Sequence, residues 1–236
     1  MLQRQIIKNA IDSSMPELDL DFSSDPNTQD WHLLKKLSSL EILRLKLHES
    51  HHFPSEICGL KQLKELYLGG QLKDLPNQFA QLQNLECLVL ASHSFEHFPL
   101  AVCKLKSLES LNIGENPLKS LPAEIGDLSS LDELFVHACL LETLPKEIGK
   151  LTNLRSLYLN GNQLRSIPEE IGNLCNLINL DLRDNFLDSV PTSLGHLQNL
   201  QYLDLAGNNL QFPPLKVVQE GSQSMIDFLR KALDSV

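Results

Sequence analysis

Long apolar runs are missing from this 236-residue chain. No stretch approaches the roughly 20 consecutive apolar residues that cross a bilayer. The opening MLQRQIIKNAIDSSM lacks the continuous apolar segment of a secretory signal, so neither a membrane span nor export by the general secretory route is expected. Basic excess is missing as well: 20 Lys and Arg stand against 30 Asp and Glu, a net charge of −10. Phosphate contacts need clustered cations, so nucleic acid and anionic membranes are not expected as partners. The five cysteines, Cys58, Cys87, Cys103, Cys139 and Cys175, form no CxxC pair. There is no phosphate-cradling glycine loop, no HExxH and no GxSxG, which removes the common signatures of nucleotide, zinc-protease and serine-hydrolase chemistry.

What is present is periodicity. From Leu37 to Gln219 one pattern, roughly LxxLxxLxLxxNxLxxLPxxIGx, occurs eight times with a period of 23 residues that slips once to 22. The fullest copy carries Leu151, Leu154, Leu157, Leu159, Asn162, Leu164, Ile167, Pro168, Ile171 and Gly172; the others start at Leu37, Leu60, Leu82, Leu105, Leu128, Leu174 and Leu197. A unit this short cannot bury its own apolar face and must stack on its neighbours, so the pattern predicts a solenoid. Gly126, Gly149, Gly172 and Gly195 recur in step with the repeat and are expected to serve turns.

These residues resemble the leucine-rich repeat family, and the LPxxIGxL segment is similar to the 23-residue intracellular subclass found in Ras-suppressor-like, ROCO and several bacterial proteins. The resemblance covers about four fifths of the chain and implies a curved α/β horseshoe with a concave parallel sheet and short helical or irregular convex segments. It implies little about the partner, because one scaffold hosts many functions. Secreted members of the family carry cysteine-rich caps that are not found here, so the resemblance points to the cytoplasm. Similar short proteins in bacteria that live inside host cells suggest a translocated effector acting on host signalling. The Ras-suppressor-like likeness suggests a targeting or adaptor subunit for a small GTPase or a ubiquitin ligase.

Within each unit the LxL segment reads as a strand, whose alternation sends two apolar residues inward and the residue between them outward. The inward pairs run from Leu43 and Leu45 to Leu203 and Leu205, with Leu18 and Leu20 as a ninth, terminal strand. Asn116, Asn162, Asn185 and Asn208 stand in the turn after the strand, where an amide can satisfy buried backbone groups in both directions. His48, Gln71 and His93 stand at or near this slot in the first three units, and Cys139 takes it in the fifth. The outward column is Arg44, Tyr67, Val89, Asn112, Phe135, Tyr158, Asp181 and Asp204, running from basic through aromatic to acidic. Aromatic side chains on a rigid sheet suit interface anchors. The candidate partner-binding set is therefore Tyr67, Val89, Asn112, Phe135, His137, Leu140, Tyr158, Asp181 and Asp204. Phe135 with His137 and Leu140 is its centre, since the repeat does not require an apolar residue at the position of Leu140.

Other constellations are weaker. His48, His51, His52, His93 and His97 lie in loops of the first and third units, but residues two units apart start roughly 10 Å apart while a shared metal needs bonds of about 2.1 Å. Cys139, two residues from His137, is expected to point inward as an inert apolar thiol, whereas Cys87 faces outward and is open to thiol reagents. Residues 1–36 are assigned to an N-terminal cap containing a helix with Leu2, Ile6, Ile7, Ala10 and Ile11 on one face and a second short helix opened by Asp30. Residues 37–219 form the eight repeats. Residues 220–236 form a capping helix opened by Ser224 and Asp227 as a capping box. The expectation is a monomeric, non-enzymatic recognition module for a protein or peptide, with no cofactor, metal or small-molecule substrate.

Overall fold

A computed structural model of the protein describes residues 2–24, 30–49 and 52–233. Among these, nine strands form one parallel sheet in sequence order. They are β1 (Glu17–Asp21), β2 (Ile42–Lys46), β3 (Glu65–Gly69), β4 (Cys87–Val89), β5 (Ser110–Asn112), β6 (Glu133–Phe135), β7 (Ser156–Tyr158), β8 (Asn179–Asp181) and β9 (Tyr202–Asp204). The register aligns Leu43, Leu66, Leu88, Leu111, Leu134, Leu157, Leu180 and Leu203 as one row. All are buried, as are Leu45, Leu68, Leu90, Ile113, Val136, Leu159, Leu182 and Leu205. The core is thus a continuous rod, to which each buried leucine brings about 1.5–3 kcal/mol of transfer free energy before entropy is counted.

The return half of each coil is set by proline. Pro54, Pro76, Pro122, Pro145, Pro168 and Pro191, with φ between −75° and −69°, each precede a short 3-10 turn. The proline carbonyl accepts the first turn bond, as from Ile148 N to Pro145 O at 3.0 Å and from Ile171 N to Pro168 O at 3.1 Å. The fixed φ suits the turn entry, and the missing N–H leaves no orphan donor. The isoleucine, leucine or, after Pro76, phenylalanine three residues on then points into the rod.

The recurrent glycines turn out to serve packing rather than turn conformation. Gly126, Gly149, Gly172 and Gly195 have ordinary φ, but a Cβ on them would lie 2.6, 2.4, 2.6 and 2.8 Å from the carbonyl oxygens of Glu147, Glu170, Ser193 and Leu229. Hydrogen at this position is what lets one coil's backbone rest on the next. The left-handed conformation falls elsewhere, once in each repeat from the third to the eighth, just before the asparagine slot: Ser92, Glu115, Ala138, Gly161, Asp184 and Gly207 have φ of 59, 58, 50, 68, 53 and 74°. Only two of these six are glycine, so the sequence pattern hides the turn.

The asparagines bind coil to coil. Asn162 Oδ1 accepts from Leu141 N at 3.0 Å, and its Nδ2 donates to Val136 O and Leu159 O at 2.8 and 2.9 Å. Asn116, Asn185 and Asn208 repeat the arrangement. Buried His93 does the same work in the third unit: Nδ1 accepts from Leu72 N at 3.1 Å, and Nε2 lies 3.1 Å from Leu68 O. This geometry requires the neutral ring protonated at Nε2, and desolvation by burial lowers the His93 pKa from its ordinary 6.5. Gln71, by contrast, is exposed and accepts from Ser94 Oγ at 2.8 Å, because the shortened unit carries it out of the slot. Cys139 is buried, with Sγ 3.7 and 3.6 Å from Ile113 O and His137 O, and burial raises its pKa.

At the N-terminal end, α1 (Leu2–Asp12) buries Ile7 and Ala10. The segment opened by Asp30 is a 3-10 helix, Asp30–Lys36, and its Trp31 packs edge-on against Phe22 at 4.7 Å. At the other end α2 (Leu215–Gln219) precedes α3 (Ser222–Leu233), which buries Met225, Ile226 and Leu229 against the last coil. The proposed capping box is not formed. The helix starts two residues before Ser224, whose hydroxyl donates to Glu220 Oε2. Ser222 instead donates to Leu203 O at 2.8 Å and accepts from Leu203 N at 3.2 Å, occupying groups that the edge strand β9 leaves open.

Candidate functional site

The outward residues of β2 to β9 form the concave face, and the candidate residues divide into three groups along it. At the N-terminal end Arg44 bonds to Glu17, lies 3.4 Å from Asp19 and covers the Tyr67 ring at 5.1 Å. Tyr67 donates to Glu65 at 2.8 Å, and that carboxylate together with burial raises the phenol pKa well above 10. Tyr67 is thus engaged by its own neighbours. At the other end Arg183 grips Asp181 through Nε at 3.0 Å and NH2 at 2.6 Å, and reaches toward Asp204 at 3.4 Å. Asp181 is only 2% accessible. Placing Asp181 among the contact residues is therefore corrected: alternation points it outward, but the arginine two residues on folds back over it. Asp204 remains half-exposed, accepting from Tyr202 at 3.0 Å and Ala206 N at 3.0 Å.

The middle differs. Phe135 and Tyr158, opposite one another in register, stack at 4.7 Å with their planes 3° apart, and both stay half-exposed. Val89 and Asn112 flank them, and Asn112 Oδ1 accepts from Gly114 N at 3.1 Å. His137 leans over Gly114, where a Cβ would meet its ring at 2.6 Å, and its Nε2 lies 3.6 Å from Glu115 Oε1. The Ser92 hydroxyl, with His137 second, holds Glu115 below its ordinary pKa. Leu140 is exposed but stands beyond the left-handed residue Ala138, in the flanking turn. The backbone bonds of Leu140, Gln163 and Phe186 to the preceding unit place them in one column. Phe186 is 53% exposed with Arg165 over its ring at 6.0 Å, and the sequence reading did not select it. Its signal was an aromatic residue where Gln163 and Asn209 are polar.

Cys87 faces the concave side but is half-buried, with its thiol pKa raised by desolvation, so its geometry gives no activation; the exposed thiol is Cys175. Cys103 is pushed up to about 12 by burial. Among the described residues no three His, Cys, Asp or Glu side chains converge as a metal site, and no helix is long and apolar enough to cross a membrane. His51 lies outside the described residues.

A nine-stranded parallel sheet on stacked coils, with an aromatic pair on its outward face, defines a repeat solenoid. The chain belongs to the leucine-rich repeat family: the family model described as a leucine-rich repeat region matches residues 17–137 and 142–220. A leucine-rich repeat protein of Leptospira interrogans is 33% identical, with a TM-score of 0.66, 86% of this chain covered and 57% of that one. The ectodomain of GASSHO1/SCHENGEN3 from Arabidopsis thaliana, solved with CASPARIAN STRIP INTEGRITY FACTOR 2, is 34% identical at TM-score 0.64, with 75% and 22% covered. TLR13, solved as a complex with ssRNA13, is 29% identical at TM-score 0.69, with 83% and 29% covered. The chain thus spans less than two thirds of each of these structures. No curated protein matches it. Folds of this kind generally serve as protein interaction modules and are typically non-enzymatic.

Proposed function

We propose that this protein is a non-enzymatic recognition module that holds one protein or peptide segment on its concave face. The observation that carries the reading is the Phe135–Tyr158 stack, a half-exposed aromatic pair whose rings already lie against each other in the free chain. Preformed anchors lose little entropy on binding, so a modest patch yields useful affinity. The cap helix α3 packs on the last coil and β9, and among the described residues no helix packs on the middle of the sheet's outward face. The concave carboxylates and the net charge of −10 favour protein over nucleic acid. Five free cysteines, three of them buried, suit a reducing compartment such as the cytoplasm.

The finer readings, a translocated effector on host signalling or an adaptor for a small GTPase or ubiquitin ligase, rest on family resemblance. Affinity capture comparing wild type with Phe135→Ala plus Tyr158→Ala tests the module and separates them. A partner lost in the double variant supports concave recognition, ligase or GTPase components in the eluate identify the adaptor, and equal capture by both proteins overturns the concave site. Turnover by the isolated chain would overturn the non-enzymatic reading.

A further inference from the structure

We infer that the concave face takes its partner through an arginine, whose guanidinium lies on the Phe135 ring and bonds to Glu133. This deepens the proposed function and rests on it. The precedent is internal. In register, Arg44 of β2 stands opposite Tyr67 of β3, covers that ring at 5.1 Å and is held by Glu17 and Asp19. Three strands on, the aromatic position is Phe135 of β6, but the residue opposite it in β5 is Asn112. The short amide is turned back onto Gly114 N, away from the ring, and the place beyond it over Gly114 is taken by the imidazole of His137 rather than by a fixed cation such as Arg44. Tyr158 backs the other face of Phe135. Among the described residues no arginine or lysine lies over the Phe135 ring on its β5 side.

Charge points to the same occupant. The outward strand positions from β3 to β7 contain Glu65 and Glu133 but no lysine or arginine. Glu133, two residues from Phe135 on the same face, accepts only from Ser110 Oγ at 3.2 Å among the described bonds, and Glu115 lies on the flank. The cations at both ends, Arg44 and Arg183, are already held by their own carboxylates. A guanidinium suits this place better than an ammonium, because its plane stacks on a ring while its fork binds a carboxylate.

The test uses fluorescein-labelled hexa-arginine and hexa-lysine peptides, read by anisotropy against the full chain at about 0.15 M salt, where long-range attraction is screened. The expected result is a preference for hexa-arginine of at least about fivefold. Glu133→Gln and Phe135→Leu should each remove that preference, while Glu169→Gln on the opposite side of the coil should not. Asn112→Arg, which would fill the slot from within as Arg44 does beside Tyr67, should also abolish it. Circular dichroism confirms that each variant is folded, and the near-isosteric Glu133→Gln decides the matter if Phe135→Leu is not. Equal affinity for the two peptides, or wild-type preference in Glu133→Gln, overturns the inference. If that happens while the captured partner is still lost from Phe135→Ala plus Tyr158→Ala, concave recognition stands and only the arginine falls.

Discussion

The first three repeats and the later ones build the same coil from different parts. In the early units the core holds Phe53, Phe79, Phe95 and Phe98, all buried, with Phe53 and Phe79 edge-to-face at 5.4 Å. The position that is glycine later is Cys58, Ala80 or Cys103 there. In the later units the core is aliphatic and Gly126, Gly149, Gly172 and Gly195 lie under the next backbone. Bulky rings inside accompany room for a side chain between coils; aliphatic packing accompanies none. The amide ladder divides likewise, with His93 in place of asparagine in the early part and asparagines in most later units. Solenoid stability is approximately a sum of unit and neighbour contributions, so the two regions should respond differently to the same change.

The largest contrast is expected at the glycine position. Gly149→Ala drives a Cβ to 2.4 Å from Glu170 O, so the coils must separate, and urea unfolding should show a loss of about 2–4 kcal/mol. Ala80→Gly, the reverse change in the early part, should cost only about 0.5–1 kcal/mol. Equal losses would show that the two interfaces are equally tight.

The ladder comes next. Asn162→Ala leaves Leu141 N, Val136 O and Leu159 O without this partner, at an expected cost of about 2–3 kcal/mol. Cys139→Asn should raise stability by about 1 kcal/mol by completing the ladder in the fifth unit, which the same titration checks. His93 makes the early region the pH-sensitive one. Its pKa is lowered in the folded chain from the ordinary 6.5, so the unfolded chain takes up a proton first as the medium is acidified. This contribution to stability is present above pH 6.5 and is lost as pH falls below it. Thermal melts between pH 7 and 5 should therefore show a steeper decline for wild type than for His93→Asn, and parallel curves would refute the assignment.

The smallest effect concerns the left-handed residues. Ala138 holds φ of 50°, and Ala138→Gly should stabilise by about 0.5–1 kcal/mol, while Gly161→Ala should do the opposite. A Tm shift of opposite sign in the two variants is the readout.

Much of the architecture was legible in the residues. The leucine rows, the proline-started turns and the asparagine ladder each have a spacing, and spacing survives in one dimension. The concave face was legible only by column. Alternation placed Asp181 outward correctly but could not say that Arg183 would cover it, and it grouped Tyr67 with Phe135 and Tyr158 although Arg44 had claimed the first ring. Phe186 passed unnoticed because the strand frame ends before it. Ser224 looked like a helix cap because the motif is local, yet the helix start was decided by Ser222 meeting the open edge at Leu203.

By itself the sequence determined the coil, its period and which side chains enter the rod, because a short apolar repeat has one way to escape water. Only the tertiary structure decided which surface residues spend themselves on each other and which are left for a partner. That division depends on contacts between side chains a full turn apart in the chain, such as the pairing of Phe135 with Tyr158 and of Glu17 with Arg44, and no pattern along one strand contains them.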